Sequence, residues 1–168
     1  MNNIKIDLDR DCIHVVFLGL PNIPGGAAKI FGALCEQGVT VDMITQNTMR
    51  GGRSDLSFLI RRDRLEEVIP LCREVSSKVG AQGVSFATEV AAITVRLKAD
   101  SPETPQVLAK MFSTLAGVGV NVEIINSTFP GGTGATADSS PLWATVVCIV
   151  SLTHAEEGLK ALREAFGV

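Results

Sequence analysis

Hydrophobic and polar residues follow two different periods along this chain, and the changes between them predict its elements. Residues 4–8 alternate apolar and polar side chains, which is typical of a strand with one buried face. A second strand is expected at residues 13–18, followed by a helix from Pro24 to about Gln37. Apolar residues recur in that helix at the spacing of one buried stripe, at Ala27, Ile30, Phe31 and Leu34. Gly38 is suited to end it in the left-handed conformation.

The rest of the first half completes a six-element order. Strands are expected at three further places, residues 39–45, 56–60 and 83–88. Asp63 and Glu66 have the spacing of a capping pair for a second helix that ends near Val79. The order is βαββαβ, which predicts an α+β, ferredoxin-like module: an antiparallel four-stranded sheet with both helices on one face.

The same block occurs a second time. Residues 28–47 align without a gap on residues 109–128. The identical pairs are Ala28/Ala109, Lys29/Lys110, Phe31/Phe112, Leu34/Leu115, Gly38/Gly119, Val39/Val120, Val41/Val122 and Ile44/Ile125. Asp42 also aligns with Glu123, and Pro24 with Pro105. An internal repeat of this kind indicates two related modules.

The second repeat lacks one strand. It has strands at residues 92–97, 121–127 and 142–150 and a last helix near Phe166, with Thr153 and Glu156 as its capping pair. No fourth strand follows, whereas residues 4–8 have no partner in the first repeat. Because an unpaired sheet edge gains by pairing, we predict that this N-terminal strand completes the second module. The predicted domains are residues 12–89, and residues 3–8 plus 91–168.

Pro24, Gly25 and Gly26 form the most distinctive short motif. Proline suits the first position of a helix, and glycine allows a ligand to approach the backbone closely. Unpaired amides and the positive end of the helix dipole then favour an anion such as a small carboxylate. The alternative is a loop that only provides a good helix start.

Composition excludes several classes of protein. The formal charge of −3 and the pI near 5.4 over 168 residues argue against a nucleic-acid partner. No segment has the length of a membrane span or the apolar core of a signal peptide, so a cytoplasmic location is expected. Cys12, Cys35, Cys72 and Cys148 are widely spaced, which favours free thiols over a disulfide frame or a metal site.

Catalytic chemistry is nearly absent from the sequence. It contains no P-loop, no paired histidines on a helix, no CxxC motif and no tyrosine. We interpret His14 as a structural histidine with its hydrogen bonds satisfied, rather than as an acid or base. We therefore expect a binding protein with no catalytic residues, no metal and no cofactor.

The run PNIPGGAAKIF with VTVDMITQN, and the second copy ending VNVEIINST, resemble the tandem ACT domains of the regulatory (beta) subunit of aspartokinase. The resemblance covers almost the whole chain. It implies a module that binds lysine or threonine and transmits feedback inhibition to a kinase catalytic chain, in aspartate-family amino-acid biosynthesis. The effector site would then lie between modules. Because each predicted sheet carries helices on one face only, and an open face or edge tends to pair, we also expect a homodimer.

The resemblance carries particular residues with it. It assigns effector contacts to Asn22, Gly25, Ala27, Ala28, Gln46, Asn121, Val122, Ser127 and Thr128. Asn22 stands where the family usually has Asp, which makes lysine the less certain ligand. Residues 102–106 have no Pro-Gly loop, so no second equivalent site is predicted.

Two alternative functions and the role of one segment remain open from the sequence. A freestanding ACT-type amino-acid sensor would regulate another enzyme or partner. An RNA-binding module shares the strand order, but it requires a basic surface and exposed aromatic residues. Residues 129–141, rich in Gly, Ser and Thr, form either a mobile lid or an insertion without a task.

Overall fold

The alternation of strands and helices follows the predicted repeat. The structure is a computed structural model, and it describes residues 4–98, 104–128 and 143–168. In these residues the chain forms eight strands and four α-helices. The strands are β1 (Ile4–Asp9), β2 (Cys12–Pro21), β3 (Val41–Met49), β4 (Arg53–Arg61), β5 (Gly83–Ala87), β6 (Val90–Lys98), β7 (Val122–Thr128) and β8 (Trp143–Ser151). The helices are α1 (Gly26–Glu36), α2 (Leu65–Val79), α3 (Thr104–Gly117) and α4 (Ala155–Phe166).

The described strands pair into two antiparallel four-stranded sheets. One has the order β3-β4-β2-β5 and the other the order β1-β6-β8-β7. The chain divides into Asp11–Thr88, which we call the first unit, and Met1–Arg10 with Glu89–Val168, the second unit. These sheets and their helices confirm the predicted α+β class with two ferredoxin-like modules.

Strand β1 belongs to the second unit, as predicted. It pairs antiparallel with β6, with Ile4 opposite Leu97 and Asp9 opposite Ala92. Ile6 is buried in the core of that unit. An edge of the sheet that the second repeat alone would leave open is therefore covered by a strand from the opposite end of the chain.

The first helix of each repeat ends in the same hydrogen-bond motif. Gly38 adopts a φ of 64°, and the amide of Val39 donates to the carbonyl of Leu34 at 2.9 Å. Gly119 adopts a φ of 71°, and the amide of Val120 donates to Leu115, again at 2.9 Å. Both are Schellman caps, in which a left-handed residue turns the chain and satisfies the last carbonyls. The repeat seen in the sequence is thus a repeat of backbone geometry.

The predicted capping pairs of α2 and α4 are wrong. A 3₁₀ turn precedes each helix, at Arg62–Arg64 and Leu152–His154, and neither helix has a side-chain cap. In the first unit the amide of Arg62 donates to the backbone carbonyl of Asp11 at 2.9 Å. In the second the amide of Leu152 donates to the backbone carbonyl of Glu89 at 2.9 Å. Backbone bonding to the start of the neighbouring strand fixes both turns.

His14 lies on β2 and differs from its prediction. Its Nε2 is buried and has no hydrogen-bond partner within the described residues. Burial lowers the pKa of His14, because the charged ring loses water around it. His14 thus lies within the fold, as a structural histidine would, but in the part of the chain that the structure describes its Nε2 lacks the predicted hydrogen bond.

The four cysteines are free thiols. Cys12, Cys72 and Cys148 are buried, whereas Cys35 is exposed. Burial raises the pKa of Cys72 to about 12 and that of Cys148 to about 11. Buried thiols of this kind act as small apolar side chains.

Gly158 allows α4 to pack closely against the second sheet. A Cβ at this position would lie 3.1 Å from Leu115 Cδ2 and 3.3 Å from Ile93 Cδ1. The helix therefore has no room for a larger residue there without displacement of its neighbours.

None of the helices in the described ranges is long and apolar enough to span a membrane.

Candidate functional site

The loop between β2 and α1 carries the candidate site of the first unit. Gly25 immediately precedes α1 with a φ of 97°, and the helix has no side-chain cap. A Cβ built on Gly25 would meet nothing within 4 Å. The first amides of a helix have no acceptor within the helix. The loop therefore leaves the start of α1 open to a ligand.

The predicted start of this helix is corrected by two residues. Pro24 lies in the turn before the helix, and α1 begins at Gly26. The left-handed backbone of Gly25 is the reason, because a helix cannot continue through that conformation. Pro24 thus shapes the approach to the helix and is not part of its first turn.

The helix start is suited to a negative group. The first turn of α1 contains no acidic residue. Ala28 is exposed, and Ala27 is half-buried against the core. Small apolar side chains leave the amides accessible, and the helix dipole favours an anion at this end. A carboxylate fits this chemistry.

Asn22 is held beside the turn between β3 and β4. Its backbone amide donates to the carbonyl of Gly52 at 2.9 Å, and the amide of Ile23 donates to Pro21 at 2.8 Å. Asn22 itself is exposed. The backbone of the loop is therefore anchored, while the Asn22 amide group faces solvent.

Gln46 is joined through a buried serine to the end of β2, directly before the loop. Its Nε2 donates to Ser54 Oγ at 3.2 Å, and Ser54 Oγ donates to the carbonyl of Leu20 at 3.5 Å. Gln46 is opposite Leu56, whose side chain belongs to the core on the helix side of the sheet. Gln46 thus lies on the edge strand β3, on the face that carries α1.

Of the second-repeat residues, Val122, Ser127 and Thr128 lie on β7, the edge strand of the other sheet, and Asn121 directly precedes it. Asn121, Ser127 and Thr128 are exposed, and Val122 is half-buried. Val122 and Ser127 are at opposite ends of the strand, about 16 Å apart at 3.3 Å per residue. A single free amino acid does not reach both ends. These four residues therefore form two separate groups within the second unit.

The nine predicted residues are divided between the two units. Asn22, Gly25, Ala27, Ala28 and Gln46 lie in the first unit on the loop, the start of α1 and the neighbouring strand. Asn121, Val122, Ser127 and Thr128 lie in the second unit.

Sequence reasoning missed three polar residues behind the loop, Arg53, Ser54 and Asp55. Asp55 accepts a hydrogen bond from the amide of Gly19, Arg53 donates to the carbonyl of Gly19, and Ser54 contacts Leu20. Three consecutive polar residues before an apolar strand were the available signal. Their partners depend on the strand register, which the sequence does not display.

Two depressions in the surface of the described residues lie away from this loop. One, of about 460 Å³, follows α4, and another, of about 450 Å³, lies beside Gln106 and Phe166 in the second unit. Neither is lined by the nine predicted residues. The loop before α1 is the better candidate for a carboxylate, because backbone amides at a helix start bind an anion without an enclosed cavity.

The described residues do not meet the requirements of a metal site. Among the described residues, no group of three or more His, Cys, Asp or Glu side chains could hold a metal ion. The segment 129–141 lies outside the described residues, and so do residues 102 and 103 of the second-repeat loop.

Comparison with known proteins identifies the family. The sequence profile of the ACT domain matches residues 14–75. The aspartokinase of Thermus thermophilus is 29% identical over 163 residues, which is 96% of this chain and 36% of that protein. The aspartokinase of Mycobacterium bovis is 29% identical over 162 residues, which is 95% of this chain and 35% of that protein. The chain thus spans about a third of the length of these relatives.

Three solved chains match over almost their whole length. The regulatory subunit of aspartate kinase from Thermus thermophilus has a TM-score of 0.76 and 31% identity, with 96% of both chains covered. The subunit from Thermus flavus has a TM-score of 0.75 and 30% identity, covering 98% of this chain and 97% of that one. A chain from the structure of aspartokinase alpha and beta subunits has a TM-score of 0.77 and 25% identity, with 97% of both covered.

These matches are to the regulatory part of aspartokinase and not to its catalytic part. The ACT profile, the identity to a separately folded regulatory subunit and the shared architecture agree. The chain therefore belongs to the family of aspartokinase regulatory subunits, which are built from ACT domains.

Proposed function

We propose that this chain binds a free amino acid, threonine or lysine, and thereby regulates an aspartokinase catalytic chain. The open start of α1 at Gly25 carries the proposal. Its amides supply donors for the ligand carboxylate. The side-chain carbonyls of Asn22 and Gln46 supply acceptors for the ligand ammonium group.

Threonine is the first ligand to test. The first turn of α1 has no acidic residue, and Asn22 is neutral. Asp55, on the adjacent strand, already accepts the amide of Gly19. The second ammonium group of lysine therefore has no carboxylate offered by the loop, whereas the threonine hydroxyl needs only a neutral partner.

The proposed partner is an aspartokinase catalytic chain, and the proposed assembly contains a homodimer of this chain. Support comes from the relative whose structure contains aspartokinase alpha and beta subunits. Asn121, Val122, Ser127 and Thr128 are proposed as further effector contacts within that assembly. We propose residues 12–89, and 3–8 plus 91–168, as the two ACT modules. Ligand binding would favour one arrangement of the assembly through its different affinity for the two states.

Calorimetric titration with a paired set of variants tests the ligand site. Ala28→Asp places a carboxylate in the first turn of α1, where the ligand carboxylate would bind. Two like charges about 5 Å apart repel by about 0.8 kcal/mol in water and about 3 kcal/mol at an effective dielectric constant of 20. Kd for the bound amino acid should therefore rise at least about fourfold. Stability should change little, because the favourable dipole contact offsets the lower helix propensity of Asp.

Ala109→Asp is the matched control. Ala109 aligns with Ala28, is exposed, and lies in α3 beyond its first turn. This variant should bind as the wild type does. Equal losses in both variants would show that the charge acts without regard to position, and no saturable heat from wild type with any of the twenty amino acids would refute the proposed function.

Co-purification separates the kinase partner from the freestanding alternative. A tagged form of this chain should retain an aspartokinase catalytic chain co-expressed from the same source, in an amino-acid-dependent manner. Saturable amino-acid binding without retention of that chain would instead support a freestanding sensor. A monomer at every concentration in sedimentation, with and without ligand, would contradict the homodimer.

A further inference from the structure

Strand β2 bends shortly before the candidate loop. Its pairing with β4 shifts register between Phe17 and Leu20, and Gly19 adopts a φ of 56° there. A Cβ at Gly19 would lie 2.4 Å from the side-chain oxygen of Gln82. This bulge redirects the chain from the sheet into the loop that contains Asn22 and Gly25.

Two charged side chains of β4 hold the bulge. Asp55 Oδ1 accepts the backbone amide of Gly19 at 2.8 Å, and Arg53 Nη1 donates to the carbonyl of Gly19 at 2.5 Å. We call these two contacts the clasp. Each is charge-assisted, and hydrogen bonds to ionised groups are stronger than neutral ones. Both polar groups of one residue, which the bulge removes from the strand ladder, are thereby satisfied.

Arg53 also reaches the end of helix α2. Its Nη1 lies 3.4 Å from the carbonyl of Gly80, the left-handed residue that ends α2. The amide of Gln82 donates to Leu18 at 2.8 Å, next to the bulge. A cation is favourable at a helix C-terminus. The bulge of β2 and the end of α2 are therefore both bonded to one side chain.

The described residues of the second unit contain no counterpart of the clasp. Asn47 is opposite Asp55, and Thr128, which aligns with Asn47, is opposite Thr145. Thr145 thus takes the place of Asp55, and Trp143 the place of Arg53. Strand β6 pairs with β8 without a shift of register along its whole length, Val90 to Lys98. Among the residues that the structure describes, the clasp thus occurs only in the first unit, which carries the loop with Pro24, Gly25 and Gly26.

We propose that Arg53 and Asp55 are positioning residues that hold this loop in its ligand-binding conformation and couple it to α2. The inference rests on the proposed function, because it assigns the effector site to that loop. A loop that must be ordered by the ligand binds more weakly, in proportion to the fraction of time it spends in the competent form. Loss of the clasp should therefore lower affinity while the sheet remains folded.

The test compares Asp55→Ala, Asp55→Asn and Arg53→Met with wild type, using whichever of L-threonine and L-lysine gives a saturable calorimetric signal. Asp55→Ala should raise Kd about tenfold, equivalent to about 1.4 kcal/mol. Asp55→Asn retains an oxygen acceptor without the charge, so its effect should be smaller. Hydrogen exchange of residues 19–28, measured without ligand, should accelerate in Asp55→Ala and Arg53→Met, while exchange in the cores of β2 and β4 stays slow.

Asp42→Asn is the matched control. Asp42 Oδ1 also accepts a backbone amide of the first unit, that of Met43, at 2.7 Å. Met43, like Gly19, has a left-handed backbone. It lies on β3, away from the bulge at Gly19. This variant should change neither affinity nor exchange in residues 19–28.

The outcomes separate the two claims. An unchanged Kd in Asp55→Ala and Arg53→Met, or unchanged loop exchange, would overturn the clasp as a positioning device. If Asp55→Ala does not fold, Asp55→Asn and Arg53→Met decide in the same way. If wild type binds neither amino acid, the proposed site fails, and the exchange experiment alone decides whether the clasp orders the loop.

Discussion

Gly25 and Gly38 offer a paired perturbation at the two ends of helix α1. Their φ angles are 97° and 64°, and a Cβ at either position would meet nothing within 4 Å. Replacing either glycine with alanine therefore strains the backbone without a steric clash. Only Gly25 lies at the proposed ligand site, so the two variants separate stability from binding.

The magnitudes of the stability effects should be similar. A left-handed backbone costs an L-residue about 1–2 kcal/mol. Alanine also restricts the unfolded chain, which returns about 0.4–1 kcal/mol. The net loss in the free energy of unfolding is therefore about 1 kcal/mol for each variant. Urea denaturation, followed by circular dichroism, measures it.

The affinities should differ. In Gly25→Ala the methyl group occupies space that the ligand needs to approach the amides of Gly26 and Ala27, so Kd for the amino acid should rise at least about tenfold. In Gly38→Ala, Kd should stay within about twofold of wild type, because the perturbation lies three turns away. Calorimetric titration of both variants supplies the comparison.

Two results would refute this reasoning. Wild-type affinity in Gly25→Ala would show that no ligand approaches the start of α1. An equal loss of affinity in Gly38→Ala would show that binding follows the stability of the helix and not access to its first amides.

Three further predictions concern the folded chain. Gly158→Ala should lower the free energy of unfolding by about 1 kcal/mol in urea denaturation, because the cost of pressing on buried leucine and isoleucine side chains, about 1–3 kcal/mol, exceeds the roughly 0.5–1 kcal/mol that alanine gains over glycine inside a helix. Because burial lowers the pKa of His14 in the folded state, the unfolded chain binds more protons, so stability should fall as pH drops below about 6.5 and His14→Gln should flatten that dependence. Cys35 should react with a thiol reagent in the native protein, whereas Cys72 and Cys148 should react only on unfolding, as counted by mass spectrometry.

The sequence predicted the fold because the repeat preserves the residues that define its geometry. Gly38 and Gly119 align, and each ends the first helix of its repeat with the same pair of backbone hydrogen bonds. The unpaired pattern of residues 4–8 likewise predicted the role of β1, since an amphipathic strand needs a partner.

Element boundaries were less predictable, because backbone geometry decided them. Pro24 is compatible with the first turn of a helix, but the left-handed Gly25 delays the helix by two residues. Asp63 with Glu66 has the spacing of a capping pair, yet a 3₁₀ turn bonded to Asp11, the residue before β2, replaces the cap. Spacing alone does not distinguish these local solutions.

The candidate site was predicted in its exposed part only. Gly25 and Ala28 stand in a recognisable motif, and the structure leaves both exposed. Asp55 and Arg53 act on Gly19 from a neighbouring strand, across a shift of register. A one-residue slip changes which side chains meet, so this support was not readable from periodicity.

The pairing of β1 with β6 also has a consequence for how the molecule assembles. Ile4 meets Leu97 only after the chain has passed through the whole of Asp11–Thr88, which forms its own core. Closing so long a loop is slow when the intervening residues are unfolded, and it becomes shorter in effect once they have condensed. Strand β1 is therefore synthesised before β6 but pairs with it late, and the first unit can fold before the sheet of the second unit is complete.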